Sequence, residues 1–249
     1  MFCKYGRRDR VMLEEVITWF IIGLFWVLVI ASLLGLVFYI LYHQIGSTCG
    51  FYALTYGTAK TKLIRNKKRT VKKIIIDSIQ NKYSYVGEIF DVHTLHQIAK
   101  RNFPNAEFVL ADIKSTDDLD EYLTQNYIIF PCIIKDIPHY YFLEKSLGNK
   151  YVYRGSIFAW IKIKKKEDLY KLHESLKEKK EFYWNKYFEN KDKKKVCNIV
   201  YQVIWAISDC KFNRYLNQTE KRVRKEMFNK TTPIDMYGRV LLIKKNLPE

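Results

Sequence analysis

A cysteine that follows a glutamine at the start of a predicted helix is the residue of this chain best suited to nucleophilic chemistry. Ser47 and Thr48 are suitable N-cap residues, so Cys49 would lie in the first turn of that helix. The aligned peptide dipoles and free N–H groups of a helix start favour the thiolate, which is the reactive form. Gln44 is near enough to fold back and donate a hydrogen bond to a developing oxyanion. The alternative is a buried cysteine at a helix start, with Gln44 a linker residue.

A thiol nucleophile needs a base, and the chain has five histidines. Four of them have simpler interpretations. His43 would lie at a membrane edge, and His93 and His96 on a solvated helix face. His173 would be an exposed residue of a Lys/Glu-rich helix. His139 follows the apolar run 127–134 and opens the run 139–143, and both runs are predicted to be strands. A strand end can hold an imidazole rigidly. His139 is therefore the candidate base, and the alternative is a hydrogen-bonded histidine at a strand edge.

Three segments, in the same order along the chain, resemble a family of peptidases. The stretch Gln44 to Leu54 resembles the "Q…CG..AL" signature of papain-like cysteine peptidases related to the double-glycine leader peptidases. Gly87 to Asp91 resembles the "GEMF" segment of the actin maturation protease family within that group, and His139 to Leu143 falls where that family has its catalytic histidine. The resemblance covers about residues 44 to 145. It implies that Cys49 is the nucleophile, His139 the general base and Gln44 the oxyanion donor.

A third catalytic group is not evident in the sequence. The relatives place Asp or Asn on the strand after the histidine strand, where it orients the imidazole. The matching position of this chain holds Arg154, Gly155 or Ser156, and neither Asn149 nor Asp168 can be assigned to the role. A Cys/His dyad can work alone, because forming a thiolate is less demanding than activating a serine. A scaffold that has lost activity stays open as an alternative.

The N-terminal part of the chain predicts a membrane anchor. Residues 16–42 carry no charged side chain. This uncharged run is longer than the about 20 residues that span a bilayer. A transmembrane helix is therefore predicted at 14–42, after a basic flank at 1–13. The basic residues before this helix favour a cytoplasmic N-terminus and a single-pass membrane protein, with the side of the main domain left open.

The charge of the chain is strongly positive, with 43 basic and 26 acidic residues and a formal net charge of +17. Such a charge suits anionic lipid headgroups beside a membrane anchor. Nucleic acid is not expected as a partner, because no nucleic-acid-binding module is recognisable. A lysine-rich surface that is merely solvated is the remaining interpretation. The sequence also contains no Gly-rich phosphate loop and no paired-cysteine zinc spacing, so neither a cofactor nor a metal is expected.

Behind the anchor, helical patterns come first and strand patterns follow, which is the order of an α+β domain. Asp91 is predicted to cap one helix, and Ser115 with Asp118 to form the capping box of another. The sequence thus predicts a papain-like cysteine peptidase domain, N-terminal helices followed by an antiparallel sheet, at 43–165. A basic, mainly helical C-terminal appendage is predicted at 166–249, beginning with one long amphipathic helix over 167–190.

Together these features predict a membrane-anchored cysteine peptidase that cleaves peptide bonds of membrane-proximal peptide or protein substrates through a Cys/His thiolate mechanism. Two alternatives stay open. One is a catalytically inactive, membrane-tethered binding or assembly subunit on the same scaffold. The other is a thiol acyltransferase or amidase, which uses the same nucleophile and differs in the acceptor.

Overall fold

The computed structural model describes residues 17–33, 35, 48–64, 66–134, 137–145, 151–154, 162–197 and 210–245. The chain divides into two units, Met1–Leu41 and Tyr42–Glu249. The second unit contains mixed α and β structure around an antiparallel sheet.

The prediction of a transmembrane helix at 14–42 is wrong. Among the described residues, no helix has both the length and the apolar character required to cross a membrane. The described residues 17–33 and 35 in this part of the chain are helical and belong to helix α1. Residues 14–16, 34 and 36–42 of the predicted span lie outside the described residues. The predicted single-pass membrane location, its cytoplasmic N-terminus and the integral membrane partner depended on that helix and are corrected with it.

Four helices precede the centre of the sheet: α2 (Cys49–Lys60), α3 (Lys67–Gln80), α4 (Val92–Asn102) and α5 (Thr116–Gln125). The predicted caps of the last two are confirmed. The Asp91 carboxylate accepts the N–H groups of the first turn of α4, and Ser115 and Asp118 form a reciprocal capping box at α5. These caps satisfy N–H groups that have no partner inside the helix, so their sequence signals are local.

The main sheet has six strands in the order β1-β8-β2-β3-β4-β5, and every pairing is antiparallel. Its strands are β1 (Phe108–Asp112), β2 (Asn126–Ile134), β3 (Ile137–Lys145), β4 (Tyr151–Arg154), β5 (Lys162–Lys164) and β8 (Arg239–Lys244). Strands β2 and β3 carry nearly continuous apolar runs because both of their faces are covered. Tyr140 and Phe142 share one core with α2, whereas Tyr141 and Leu143 belong to the core on the opposite face.

Helix α2 packs directly on the sheet, and residues Cys49 to Thr58 are buried. Gly57 permits this approach. A Cβ atom at Gly57 would lie 2.5 Å from Cδ1 of Ile243 and 3.1 Å from Cδ2 of Phe142. The helix therefore lies closer to the sheet than a residue with a side chain at this position would allow.

The helical C-terminal appendage is a further prediction that the structure corrects. Strand β8, near the end of the chain, lies between β1 and β2 in the main sheet. Its residues Val240 to Ile243 are all buried, so the strand needs a cover on both faces and neighbours on both edges. The fold of the preceding segments is therefore completed by the C-terminal part of the chain.

The predicted long helix over 167–190 is also interrupted. The structure has α6 (Lys166–Glu174), a turn, the short strand β6 (Glu181–Tyr183) and then α7 (Trp184–Cys197). Strand β6 pairs with β7 (Thr231–Pro233), which follows helix α8 (Cys210–Met227). The break places Phe182 and Trp184 in an aromatic cluster with residues of α7, α8 and the loop before α4: Val86, Phe188, Val223 and Met227.

Candidate active site

Cys49 and His139, the two residues predicted to act together, are in contact. Cys49 is the first residue of α2, and His139 lies near the start of β3. The two side chains are joined by a hydrogen bond between the thiol sulfur and the imidazole ring. The packing of α2 on β3 brings them together although they are far apart in the sequence. An imidazole beside a thiol at a helix start can exchange a proton with it, which is the arrangement that activates cysteine.

Backbone groups also hold the sulfur. The N–H groups of Gly50 and Tyr140 donate to it, one from the first turn of α2 and one from β3. Because hydrogen bonds and positive charge stabilise the ionised form, three neighbours of Cys49 favour the thiolate. Cys49 is nearly enclosed, with 6% of the residue's surface exposed.

The pKa values of the pair shift in opposite directions. Burial by itself raises the pKa of Cys49, but the charge and hydrogen bond of His139, together with the N–H groups of Tyr140 and Gly50, lower that pKa below its ordinary value. Burial lowers the pKa of His139, but the charge and hydrogen bond of Cys49 raise it above its ordinary value. Both shifts favour a thiolate paired with an imidazolium.

The strand register explains why the Tyr140 N–H is free to reach the sulfur. Pro131 on β2 lies opposite Tyr140 and has no N–H to donate. The Pro131 carbonyl oxygen lies 2.9 Å from Nδ1 of His173, away from β3. Pro131 and Tyr140 are therefore a non-hydrogen-bonded pair, in which the N–H points away from the partner strand. On that other side, the described part of β4 pairs with β3 only from Phe142 onward. The edge of β3 beside Tyr140 is thus available to α2.

No third catalytic group is found among the described residues. The His139 ring packs edge-on against Tyr141, with ring centroids 4.8 Å apart. Within the described part of the chain, its pKa is influenced by burial and by Cys49, and by no carboxylate. Asp168 is an exposed residue in the first turn of α6. Asn149, Gly155 and Ser156 lie outside the described residues, as does the side chain of Arg154.

Gln44, the predicted oxyanion donor, and Ser47 also lie outside the described residues. The N-cap position of α2 is held by Thr48, whose side chain makes no capping hydrogen bond. The role of Gln44 therefore stays a prediction.

A short loop, residues 84–88, lies against the start of α2. The Ser84 hydroxyl accepts the Gly87 N–H at 2.7 Å, and the two carboxylate oxygens of Glu88 accept the N–H groups of Tyr85 and Val86 at 2.8 and 2.9 Å. Glu88 is buried, and burial raises its pKa to about 7. In the sequence, this segment indicates only a family resemblance. The sequence signal for its structural role is that Glu88 has the apolar neighbours Val86, Ile89 and Phe90 along the chain.

The remaining described histidines have structural surroundings. His93 is exposed at the start of α4, and Nε2 of His96 lies 3.2 Å from the carbonyl oxygen of Phe108. His173 was expected to be exposed, which is wrong: the ring is fully buried beneath Tyr237. In the described part of the chain, no group of His, Cys, Asp and Glu side chains could hold a metal ion. His43 lies outside the described residues.

Comparison with known proteins finds one similarity. A family model described as actin maturation protease-like, C-terminal domain, matches residues 40–132. The match includes Gln44, Cys49 and Glu88 and ends before His139. No curated protein and no solved structure matches the chain. Over the matched residues the chain is therefore similar to a family related to cysteine peptidases, and no match supports the double-glycine leader peptidases.

Proposed function

We propose that this chain is a cysteine peptidase in which Cys49 is the nucleophile and His139 is the general base and acid. The observation that carries the proposal is the hydrogen bond between the Cys49 sulfur at the start of α2 and the His139 ring on β3. The similarity to the actin maturation protease-like family over residues 40–132 adds the reaction class. The resemblance to double-glycine leader peptidases adds the same expectation more weakly.

The reaction would start from the ion pair. The Cys49 thiolate attacks the carbonyl carbon of the substrate peptide bond, a C–S bond forms, and the carbonyl oxygen becomes an oxyanion. The imidazolium of His139 then gives its proton to the leaving amine as the C–N bond breaks, which leaves a thioester on Cys49. Neutral His139 next takes a proton from water, the resulting hydroxide attacks the thioester, and the carboxylic acid product departs as the thiolate is restored.

The oxyanion would be stabilised at the start of α2. The first N–H groups of a helix have no acceptor within the helix and carry a partial positive charge. Gln44 is proposed to add a side-chain donor, as its spacing from Cys49 suggests. The substrate would be a peptide or protein whose chain can reach the nearly enclosed sulfur of Cys49.

The inactive scaffold is the rival function, and the charges of the site weigh against it. Three donors around the buried sulfur lower the pKa of Cys49, and perturbed pKa values of this kind cluster at functional sites. The absence of a third group among the described residues is compatible with a Cys/His dyad.

Selective alkylation tests the proposal. Iodoacetamide at neutral pH should modify Cys49 faster than Cys132, which is buried in β2, when each site is quantified by peptide mass spectrometry. Peptide libraries incubated with the wild-type protein should yield cleavage products that the Cys49→Ala variant does not form. Equal alkylation rates at the two cysteines, together with no cleaved peptide, would leave the inactive scaffold as the better interpretation.

A further inference from the structure

We propose that Glu88 is a positioning residue for Cys49, acting through the loop of residues 84–88. This inference rests on the proposed function, since it concerns the residue assigned there as the nucleophile. Glu88 does not contact the sulfur in the described structure. Its effect would pass through the backbone of its own loop and the start of α2.

The loop is held together by its own side chains. Three consecutive backbone N–H groups, those of Tyr85, Val86 and Gly87, are accepted by the side chains at the two ends of the loop. Glu88 takes two of them, one on each carboxylate oxygen. Without these acceptors, the buried N–H groups of Val86 and Gly87 would be left unpaired, at a cost of about 1–3 kcal/mol each.

The loop and the residue after it, Ile89, lie against the residues on both sides of Cys49. Gly87 adopts a φ of +107°, and a Cβ atom there would lie 2.4 Å from Cγ2 of Thr48, the residue before Cys49. A Cβ atom at Gly50, the residue after Cys49, would lie 3.3 Å from Cδ1 of Ile89. Gly87 and Ile89, the two neighbours of Glu88, thus lie against Thr48 and Gly50, the two neighbours of Cys49. A displacement of the loop would therefore displace the sulfur.

The other end of this connection lies in the C-terminal part of the chain. Val86 packs in the aromatic cluster with Trp184, and the charge of Lys191 on α7 favours the ionised form of Glu88. Lys191 also pairs with Glu220 on α8. The loop is therefore supported by α7 and α8 on one side and supports the start of α2 on the other.

The test compares Glu88→Gln with the matched control Glu121→Gln, which alters an exposed glutamate of α5. In a carboxamide an NH₂ group replaces one oxygen, so the Glu88→Gln side chain cannot accept the Tyr85 and Val86 N–H groups on separate oxygens as the carboxylate does. The rate of Cys49 alkylation by iodoacetamide is measured against pH by peptide mass spectrometry, and folding is checked by circular dichroism. Glu88→Gln should slow alkylation at neutral pH by about tenfold or more and shift the midpoint of its pH profile upward, since small displacements of reacting groups cost up to about 100-fold. The control should match the wild type.

A second variant covers the case in which Glu88→Gln does not fold. Ser84→Ala removes only the acceptor of the Gly87 N–H, and it should shift the alkylation profile in the same direction by a smaller amount. Glu88→Asp should recover less than the wild-type rate, because the shorter side chain cannot reach both N–H groups. An unchanged pH profile in a folded Glu88→Gln or Ser84→Ala protein would overturn the inference. Alkylation requires no substrate, so a dependence on Glu88 without any peptide cleavage would support the positioning role and count against the peptidase.

Discussion

Pro131 lies opposite Tyr140 in the pairing of β2 with β3, and this pairing frees the Tyr140 N–H to hold the Cys49 sulfur. The last described pair between β2 and β8 is Ile129 with Leu241. Beyond that pair, the side chain of His173 connects β2 to the residue before β8. Nδ1 of His173 lies 2.9 Å from the Pro131 carbonyl oxygen, and the Gly238 N–H donates to Nε2 at 3.0 Å. Because Nε2 accepts, the proton must lie on Nδ1, and the neutral ring bridges two backbone groups.

Removing the proposed base should change the ionisation of the proposed nucleophile. In His139→Ala, the main influence that lowers the pKa of Cys49 is lost while its burial remains, so the pKa of Cys49 should rise. The pH midpoint of Cys49 alkylation should therefore move upward, and peptide cleavage should fall by about 10²–10⁴-fold. His93→Ala, which alters an exposed histidine of α4, is the matched control and should behave as the wild type. An alkylation profile in His139→Ala identical to that of the wild type would show that the ring does not activate the thiol.

The proposed peptidase activity of the wild-type protein should depend on pH in a bell-shaped manner. Below the lowered pKa of Cys49 the thiol is protonated and cannot attack, and above the raised pKa of His139 the ring has no proton for the leaving amine. Maximal kcat/KM is expected between these two limits, which belong to the coupled pair. Steady-state cleavage of a peptide substrate across pH checks this shape. A rate that keeps rising at high pH would mean that an ordinary thiol, without an imidazolium partner, is the nucleophile.

The buried ring of His173 should matter for stability. His173→Phe keeps an aromatic ring beneath Tyr237 but leaves the Pro131 carbonyl and the Gly238 N–H without their partner, at a cost of about 1–3 kcal/mol for each group. Urea unfolding at neutral pH should show this loss of stability, and the ionisation of Cys49 should change little. A variant as stable as the wild type would mean that water replaces the two hydrogen bonds of the imidazole at no cost.

The contribution of His173 should also depend on pH. Burial lowers the pKa of His173 in the folded protein below its unfolded value of about 6.5, so the folded state favours the neutral ring. The unfolded state then binds the proton more readily, and the stability that the neutral ring provides is present above pH of about 6.5 and declines as the pH falls below it. The difference in free energy of unfolding between the wild type and His173→Phe should accordingly shrink in acid. A difference that grows as the pH falls would contradict this sign.

The close contact of α2 with the sheet should make Gly57 intolerant of a side chain. Gly57→Ala places a methyl group against Ile243 and Phe142, and overpacking of this kind costs about 1–3 kcal/mol. Alanine favours helix over glycine by up to about 1 kcal/mol, which offsets only part of that cost. Chemical denaturation measures the net loss. In the double variant Gly57→Ala/Ile243→Val, the nearest clashing atom is gone, and part of the stability should return; a double variant less stable than the sum of both changes would refute the contact.

The sequence by itself determined the features that depend on neighbouring residues. Asp91 and Ser115 were predicted as caps because a cap needs only the N–H groups two or three residues ahead. The apolar runs of β2 and β3 were predicted because a strand covered on both faces is apolar along its length. For the candidate site, residue type and resemblance selected Cys49 and His139, but no local pattern could bring them into contact.

The tertiary structure decided what depends on residues distant in sequence. The apolar strand β8 could not be placed between β1 and β2 from its own residues, and His173 could not be recognised as buried, because its partners Pro131 and Gly238 lie in other segments. The predicted membrane helix is wrong, since no helix among the described residues has the length and apolar character to cross a membrane. The Tyr140 N–H points towards the sulfur because of the register that pairs Tyr140 with Pro131, and strand register is a property of two segments together. The sequence of this chain thus specifies which reactive residues are present, whereas packing between distant segments determines the surroundings of each residue.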